Sequence, residues 1–251
     1  MGGHSHWAGI KHKKAATDAK KGKAWTRIVR EITIAAKYGG GSPEGHPRLR
    51  KAVDGARAAN MPAENVKRAI QKGTGELPGA NYEELTYEGY APGGVAVYSE
   101  GTTDNRNRST NEVRQIFEEH GGNMGQAGCV SFLFEKKGCI AVPRAKTSEE
   151  DLMTLVLDLG ADDLESGDYD LFEVYTPAHK FQAVLDGLKA KGIPVQSSEI
   201  LMRPKTTVPV ASEDDARRVL ALMDALDDND DVSKVYANFD IPDKLLAAIE
   251  K

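Results

Sequence analysis

The sequence contains only two cysteines and no long run of apolar residues. Cys129 and Cys139 stand ten positions apart, which provides neither a disulfide framework nor a Cys-x-x-Cys zinc site, so we expect two buried free thiols. No stretch approaches the roughly twenty apolar residues of a membrane span. The first residues are polar where a secretory signal is apolar. We therefore expect a soluble, cytoplasmic protein that has no membrane partner.

Recognisable catalytic and ligand-binding motifs are also missing. The run Gly39–Gly41 lacks the Gly-Lys-Ser/Thr ending of a P-loop, and no Gly-x-Ser-x-Gly segment occurs. The acidic run at 227–231 has Val232 where a calcium loop needs glycine, so we interpret it as a polar loop. We predict no catalytic residue, no metal site and no cofactor. Paired acids from distant segments leave one alternative open, an enzyme with a site between two domains.

What the sequence does contain is a strong separation of charge. Residues 1–75 carry sixteen Lys and Arg against five Asp and Glu, whereas residues 76–251 carry seventeen against thirty-three. The net charge of -5 therefore divides into +11 and -16. Positive charge concentrated in one third of a chain favours a polyanionic partner. Because His6 stands where a myristoylation signal has Ser or Thr, we expect nucleic acid rather than a membrane.

The basic third predicts a flexible arm followed by three helices. In the first helix, predicted from Thr17 to Tyr38, apolar residues and cations fall on nearly opposite faces. Two shorter helices begin at Pro47 and Pro62, because proline suits a first helical position. Their arrangement resembles a helix-turn-helix, whose second helix could enter a major groove. Plain packing of a three-helix bundle is the other interpretation.

The candidate nucleic-acid contacts lie in the arm, on the basic face of the first helix, on the third helix and in a polar loop at 102–110. They are Trp7, Lys11, His12, Lys13, Lys14, Lys20, Lys23, Arg27, Arg30, Lys37, Lys67, Arg68, Arg106 and Arg108. The cations would neutralise phosphates, and Trp7 would stack on a base or sugar. For the loop, a helix cap at Asp104 or Asn105 with solvated or salt-bridged arginines is the alternative.

The acidic part predicts alternating strands and helices. Residues 80–134 predict β-β-α-β, residues 135–206 predict β-α-β-β-α-β, and residues 207–240 add a strand, a helix and a strand. We predict an α+β multidomain protein, in which an N-terminal three-helix bundle precedes two ferredoxin-like α+β domains, one inserted in the other. The predicted domains are 1–78, 79–134 with 207–240, and 135–206. The alternative is a serial arrangement, in which neither α+β domain is inserted in the other.

Several short strings together give the sequence a family resemblance. They include Gly3-His4-Ser5-His6-Trp7, Asn60-Met61-Pro62, Lys72-Gly73-Thr74-Gly75 and Thr103-Asp104-Asn105-Arg106. From the first residues to about Phe239 the chain resembles the YebC/PmpR family. The resemblance implies a three-domain, non-enzymatic transcriptional regulator that binds DNA.

The resemblance also implies a second possibility, because some relatives are regarded as translation factors. The mitochondrial relative is a translational activator of cytochrome c oxidase, and bacterial members are linked to ribosomes stalled on proline-rich sequence. Ribosomal RNA, or another site on the ribosome, is therefore a rival to DNA. In a further alternative, the acidic domains bind a basic protein partner.

Overall fold

The computed structural model describes residues 19–166 and 170–249, with side chains from residue 24 onward except at position 243. The described residues form two compact units. The first contains 19–129 and 212–235, and the second contains 130–166, 170–211 and 236–249. The predicted contacts of the arm, Trp7, Lys11, His12, Lys13 and Lys14, lie outside the described residues, as do the side chains of Lys20 and Lys23.

Three helices open the first unit, and the sequence prediction of these helices is confirmed. They are α1 (Ala19–Gly39), α2 (Pro47–Ala58) and α3 (Ala63–Thr74). Pro47 occupies the first turn of α2, and the His46 side chain accepts a hydrogen bond from the backbone N–H of Leu49 at 3.3 Å, which caps the helix. The apolar faces enclose a core that includes Ile32, Ala36, Leu49, Val53, Ala56 and Ala69.

Helices α1 and α3 approach closely at Gly73. A Cβ atom at this position would overlap the carbonyl oxygen of Thr33 and would lie 2.7 Å from the Cβ of Ala36. The Thr33 hydroxyl donates to the carbonyl of Val29 at 2.8 Å within α1 and lies 3.3 Å from the carbonyl of Ala69 in α3, so it contacts both helices. Glycine at position 73 is therefore required by the packing of the two helices.

The rest of the chain alternates strands and helices. In order these are β1 (Glu83–Tyr90), β2 (Ala96–Thr103), α4 (Arg106–Glu119), β3 (Asn123–Met124), β4 (Phe134–Pro143), α5 (Glu149–Asp158), β5 (Asp163–Ser166), β6 (Leu171–Pro177), α6 (Phe181–Ala190), β7 (Ser197–Pro204), β8 (Val208–Pro209), α7 (Glu213–Asp228), β9 (Val232–Ala237), β10 (Phe239–Asp240) and α8 (Asp243–Ile249). The α+β class is confirmed. None of the helices in these ranges is both long enough and apolar enough to cross a membrane.

The sheet of the first unit has the strand order β3-β1-β2-β9. Strands β1 and β2 form a central antiparallel hairpin, in which Tyr87 lies opposite Ser99. The short strand β3 pairs with β1 only at Gly89 and Tyr90. Helices α4 and α7 pack together. They contribute buried apolar residues to the core, including Val113, Phe117, Leu222 and Leu226.

The sheet of the second unit has the order β5-β6-β4-β7, and all its neighbours are antiparallel. This is the strand order of a ferredoxin-like β-α-β-β-α-β unit, as predicted for residues 135–206. The Ser148 hydroxyl accepts a hydrogen bond from the N–H of Asp151 at 3.1 Å and caps α5. One face of the sheet packs on α5 and α6 through Ile140, Val142, Leu152, Val156, Val174, Val184 and Leu188.

Several boundaries differ from the sequence prediction. The strand predicted at 207–210 does not join the sheet of residues 80–134, because β8 instead pairs in parallel with β10. In the sheet of the first unit, the hairpin strands β1 and β2 are neighbours at the centre, which is not the ferredoxin-like order. Of the two four-stranded sheets in the described residues, only that of the second unit has the ferredoxin-like order. The last strand of the β-β-α-β pattern predicted for residues 80–134 begins only at Phe134, because residues 131–133 form a 3-10 turn. Helix α4 begins at Arg106, so part of the segment interpreted as a polar loop at 102–110 is helical.

Candidate nucleic-acid interface

Two arginines predicted on the basic face of α1 form contacts within the first unit. Arg27 donates a hydrogen bond to the backbone carbonyl of Asp227, and its guanidinium lies 3.5 Å from the Asp227 carboxylate. Arg30 pairs with the carboxylate of Asp231 at 2.7 Å. Neither arginine is therefore free. A nucleic-acid role for them stays a prediction, and it requires these ion pairs to open.

Asp231 is the centre of this contact. Only 3% of the residue is exposed, and its carboxylate accepts hydrogen bonds from Arg30, Arg108 and Ser109. The Thr103 hydroxyl lies 3.2 Å from the same carboxylate. Burial raises the pKa of Asp231, but the hydrogen bonds from Ser109 and Arg108 and the charges of both arginines outweigh burial, so the pKa lies below its ordinary value. The group is therefore a buried anion that joins α1, β2 and α4.

The polar loop at 102–110 contributes to the same cluster. Asn105 caps α4, because its side-chain oxygen accepts a hydrogen bond from the N–H of Arg108 at 3.2 Å. The Arg108 guanidinium pairs with Asp104 at 3.1 Å and Asp231 at 2.7 Å, and its hydrogen bond to Asp231 raises the pKa of Arg108. For Asn105 and Arg108, the structure therefore agrees with the alternative of a helix cap and a salt-bridged arginine. Arg106 differs, since 68% of its side chain is exposed.

Lys37 occupies the C-terminal end of the same α1 face and remains exposed. Its ammonium group donates to the side-chain oxygen of Asn81 at 2.6 Å and to the backbone carbonyl of Tyr82 at 3.1 Å. It also lies 5.6 Å from the ring centre of Tyr38, whose side chain is exposed. Because these partners are neutral, none of them cancels the positive charge of Lys37.

The outer face of α3 carries three exposed cations. Lys67 and Lys72 form no ion pair within residues 24–166 and 170–249, and Arg68 pairs with Glu64 one turn earlier at 3.3 Å. Helices α2 and α3 are joined by a short turn in which Asn60 has a φ of 54°. The geometry is that of two helices connected by a tight turn, as predicted. This geometry leaves the exposed cations of α3 available to a ligand.

Sequence reasoning missed the role of Asp227 and Asp231. Both were interpreted as members of a polar loop, because their partners Arg27 and Arg30 lie about 200 positions earlier in the chain. The only signal in the sequence was the complementary charge of the two segments. A run of acids at 227–231 and a basic helix face are each ordinary when taken alone.

Residues that could bind a metal do not cluster in the described ranges. No group of three or more His, Cys, Asp or Glu side chains there has the geometry of a metal site. The two cysteines are free, as predicted, but both are partly exposed instead of buried. The prediction of no metal, cofactor or catalytic residue stays a prediction, because it also concerns residues outside those ranges.

Comparison with protein families gives two matches along the chain. Residues 5–76 match the TACO1/YebC protein N-terminal domain, and residues 82–239 match the TACO1/YebC second and third domain. Together the two matched segments include most of the chain.

Individual relatives are similar over their full length. A protein of Elusimicrobium minutum is 52% identical over 251 residues, with both chains covered completely, and one of Dictyoglomus turgidum is 53% identical over 250 residues, covering 99% of this chain and 100% of the relative. Both are named probable transcriptional regulatory protein. The crystal structure of a conserved hypothetical protein from Aquifex aeolicus matches with a TM-score of 0.85 at 49% identity, covering 95% of this chain and 98% of that one.

Proposed function

Since the chain belongs to the TACO1/YebC family, we propose that it is a non-enzymatic regulator of gene expression that binds nucleic acid, and that its target is DNA. The names of its relatives support a role in transcription. The proposal places the protein in the cytoplasm, where both DNA and ribosomes are accessible in a bacterial cell. It includes the three-domain organisation predicted above, with boundaries near 78, 134 and 206.

The observation that carries the proposal is the exposed basic face of α3, formed by Lys67, Arg68 and Lys72. Arg27 and Arg30 are held by carboxylates, whereas Lys67 and Lys72 have no acidic partner in the described ranges. Lysines that contact phosphates contribute affinity without sequence preference. We therefore assign the first contact with the nucleic-acid backbone to α3 and expect modest sequence specificity. The cations of the arm and Lys20 and Lys23 would add further phosphate contacts.

Charge reversal on α3 tests the assignment. The double variant Lys67→Glu/Lys72→Glu should bind duplexes of unrelated sequence more weakly, and the slope of log K against log salt should become shallower by about two units. The control is Lys189→Glu/Lys191→Glu, which makes the same change in net charge on exposed residues of the second unit. Equal weakening by both variants would exclude a specific contact by α3.

The nature of the target is a separate question. Crosslinking in cells, followed by sequencing of the attached nucleic acid, should recover promoter DNA. Recovery of ribosomal RNA instead would replace the transcriptional proposal with a translational one, and the α3 surface would keep its role. If the main partner is instead a basic protein bound by the acidic domains, the experiment should recover neither promoter DNA nor ribosomal RNA.

A further inference from the structure

The outer edge of β1 is open over part of its length. Strand β3 covers β1 only at Gly89 and Tyr90, and the N–H of Gly125 donates to the carbonyl of Glu88 at 2.8 Å. In an antiparallel strand, residues two positions apart direct their backbone groups to the same side. The N–H and C=O of Thr86 therefore point to the same outer side as the carbonyl of Glu88, away from β2.

A hydrogen bond between β1 and β2 is consistent with this outward orientation of the Thr86 backbone groups. On the inner side, the carbonyl of Tyr87 accepts a hydrogen bond from the Ser99 hydroxyl of β2. Within the described ranges, β3 does not reach Thr86, so no strand pairs with its backbone N–H and C=O on this outer side. An open strand edge of this kind is a template for the pairing of another strand.

Beside this edge lies an open groove of about 310 Å³. One wall is β1 from Leu85 to Glu88, and the opposite wall is α4, which contributes Arg106, Thr110 and Arg114. The loop after β3 also lines the groove. Arg114 is exposed and forms no ion pair with the described residues, while Arg106 lies 3.9 Å from Glu83. The groove thus combines an unpaired strand edge with two accessible guanidinium groups.

We propose that this groove binds an extended acidic peptide segment of a partner protein, which adds to the sheet as a strand beside β1. Thr86 would donate and accept backbone hydrogen bonds, and Arg106 and Arg114 would pair with carboxylates of the peptide. Strand addition next to a helix is a recurrent mode of peptide recognition, in which main-chain bonds supply affinity and side-chain contacts supply specificity.

Two features favour a peptide over a nucleic-acid strand. The edge at Thr86 presents a donor and an acceptor side by side, and a peptide backbone has both complementary groups, whereas a phosphodiester backbone has only acceptors. The acids Glu83 and Glu84 lie on the same strand, and they would repel a continuous polyanion more than a peptide with isolated carboxylates.

The spacing of the arginines specifies the peptide further. Arg106 and Arg114 are eight residues apart on one helix, which corresponds to about 12 Å along its axis at a rise of about 1.5 Å per residue. An extended chain advances about 3.4 Å per residue, so two side chains on the same face and about four positions apart span a similar length. We therefore expect two carboxylates separated by about three intervening residues.

Selection from a displayed library of random short peptides on the full chain tests the proposal. The selected peptides should share this pair of carboxylates, and a synthetic copy should bind the Thr86→Pro variant at least tenfold more weakly. Proline removes the outward N–H but leaves the β1–β2 hydrogen bonds in place, since proline is tolerated on the open side of an edge strand. Thr86→Val keeps the N–H and is the matched control. Arg114→Glu, on an exposed helix position, should also weaken binding tenfold or more.

Three results would overturn the proposal. One is that no peptide is enriched on the wild-type chain relative to Thr86→Pro, although circular dichroism shows that both proteins are folded. Another is equal binding of the selected peptide by wild type, Thr86→Pro and Arg114→Glu. The third is a shift of the Thr86 amide resonance by a single-stranded oligonucleotide but not by the peptide. The proposal does not depend on the α3 surface, and Lys67→Glu/Lys72→Glu should bind the peptide normally.

Discussion

The guanidinium of Arg30 lies 2.7 Å from the carboxylate of Asp231, although the two residues are 201 positions apart in the chain. The ion pair links the N-terminal helices to the sheet of the first unit. It is mostly removed from solvent, with side-chain exposures of 14% and 3%. Because Arg108 uses the other carboxylate oxygen, a single acid holds two cations from different elements.

Removing the charge of Asp231 should destabilise the first unit. We expect Asp231→Asn to lower the free energy of unfolding by about 3 kcal/mol or more, because it leaves Arg30 and Arg108 without their shared anion. Urea denaturation of both proteins measures the difference. The control is Asp230→Asn, the same change at the exposed neighbouring residue, which should cost little. Similar losses in the two variants would mean that the loop responds to charge and not to this pairing.

Lowering the pH should remove the same contribution of the Asp231 charge to the free energy of unfolding. The pKa of Asp231 is lower in the folded state than its ordinary value of 3.8, so the unfolded chain binds a proton first as the pH falls. The stabilisation is fully present above about pH 3.8 and is lost as the pH falls through the lowered value. The difference in unfolding free energy between wild type and Asp231→Asn should therefore shrink from about pH 4 downward. A difference that stays constant over this range would contradict the assignment.

Release of Arg27 should strengthen nucleic-acid binding. Asp227→Asn removes the carboxylate beside Arg27 and makes that guanidinium more available to a phosphate. We expect tighter binding and a salt slope steeper by about one unit than that of the wild type. Asp230→Asn provides the matched loss of charge in the same loop. If it increases affinity as much as Asp227→Asn does, the effect is general electrostatics and Arg27 is not a contact.

Two glycines on different helices should respond oppositely to alanine. Gly73→Ala should lower the unfolding free energy by about 1 to 3 kcal/mol, because the added methyl group would overlap Thr33 of α1. A methyl group added at Gly55 of α2 would meet nothing within 4 Å, so Gly55→Ala should raise stability by about 0.5 to 1 kcal/mol. Thermal denaturation compares the two variants. Equal effects would argue against close packing at Gly73.

Both thiols should react slowly in the folded protein. Burial raises the pKa of Cys139, and the neighbouring carboxylates of Glu173 and Glu199 raise it further. Burial and Glu88 likewise raise the pKa of Cys129. Since the thiolate is the reactive form, modification by iodoacetamide at about pH 8 should be slower than in urea-unfolded protein. Equal rates in the two states would show that neither thiol is shielded.

Local signals in the sequence predicted much of the fold. Serine is a common helix cap, and in the structure the hydroxyls of Ser148 and Ser212 each accept a backbone hydrogen bond from the residue three positions later. The periodicity of the basic third located its three helices. These features depend on neighbours within a few positions, so their physical cause is contained in a short stretch of sequence.

The site was less predictable, because its geometry depends on distant residues. The helical period correctly placed Arg27 and Arg30 on one face, but it contained no information about what covers that face. Similarly, Asn105 was one of two candidate caps, and only its hydrogen bond to Arg108 identifies it. The pairing of Val208 with Phe239 had no local signal, since two-residue strands carry no period.

The long separation between Arg30 and Asp231 also has a consequence for synthesis. Chains elongate at about 5 to 20 residues per second, so the roughly 200 residues between the two take about 10 to 40 s to be made. During that interval α1 can form, but the acid that neutralises Arg30 does not yet exist. The nascent helix therefore presents more positive charge than the folded protein does, and this charge is neutralised only after Asp231 has been synthesised.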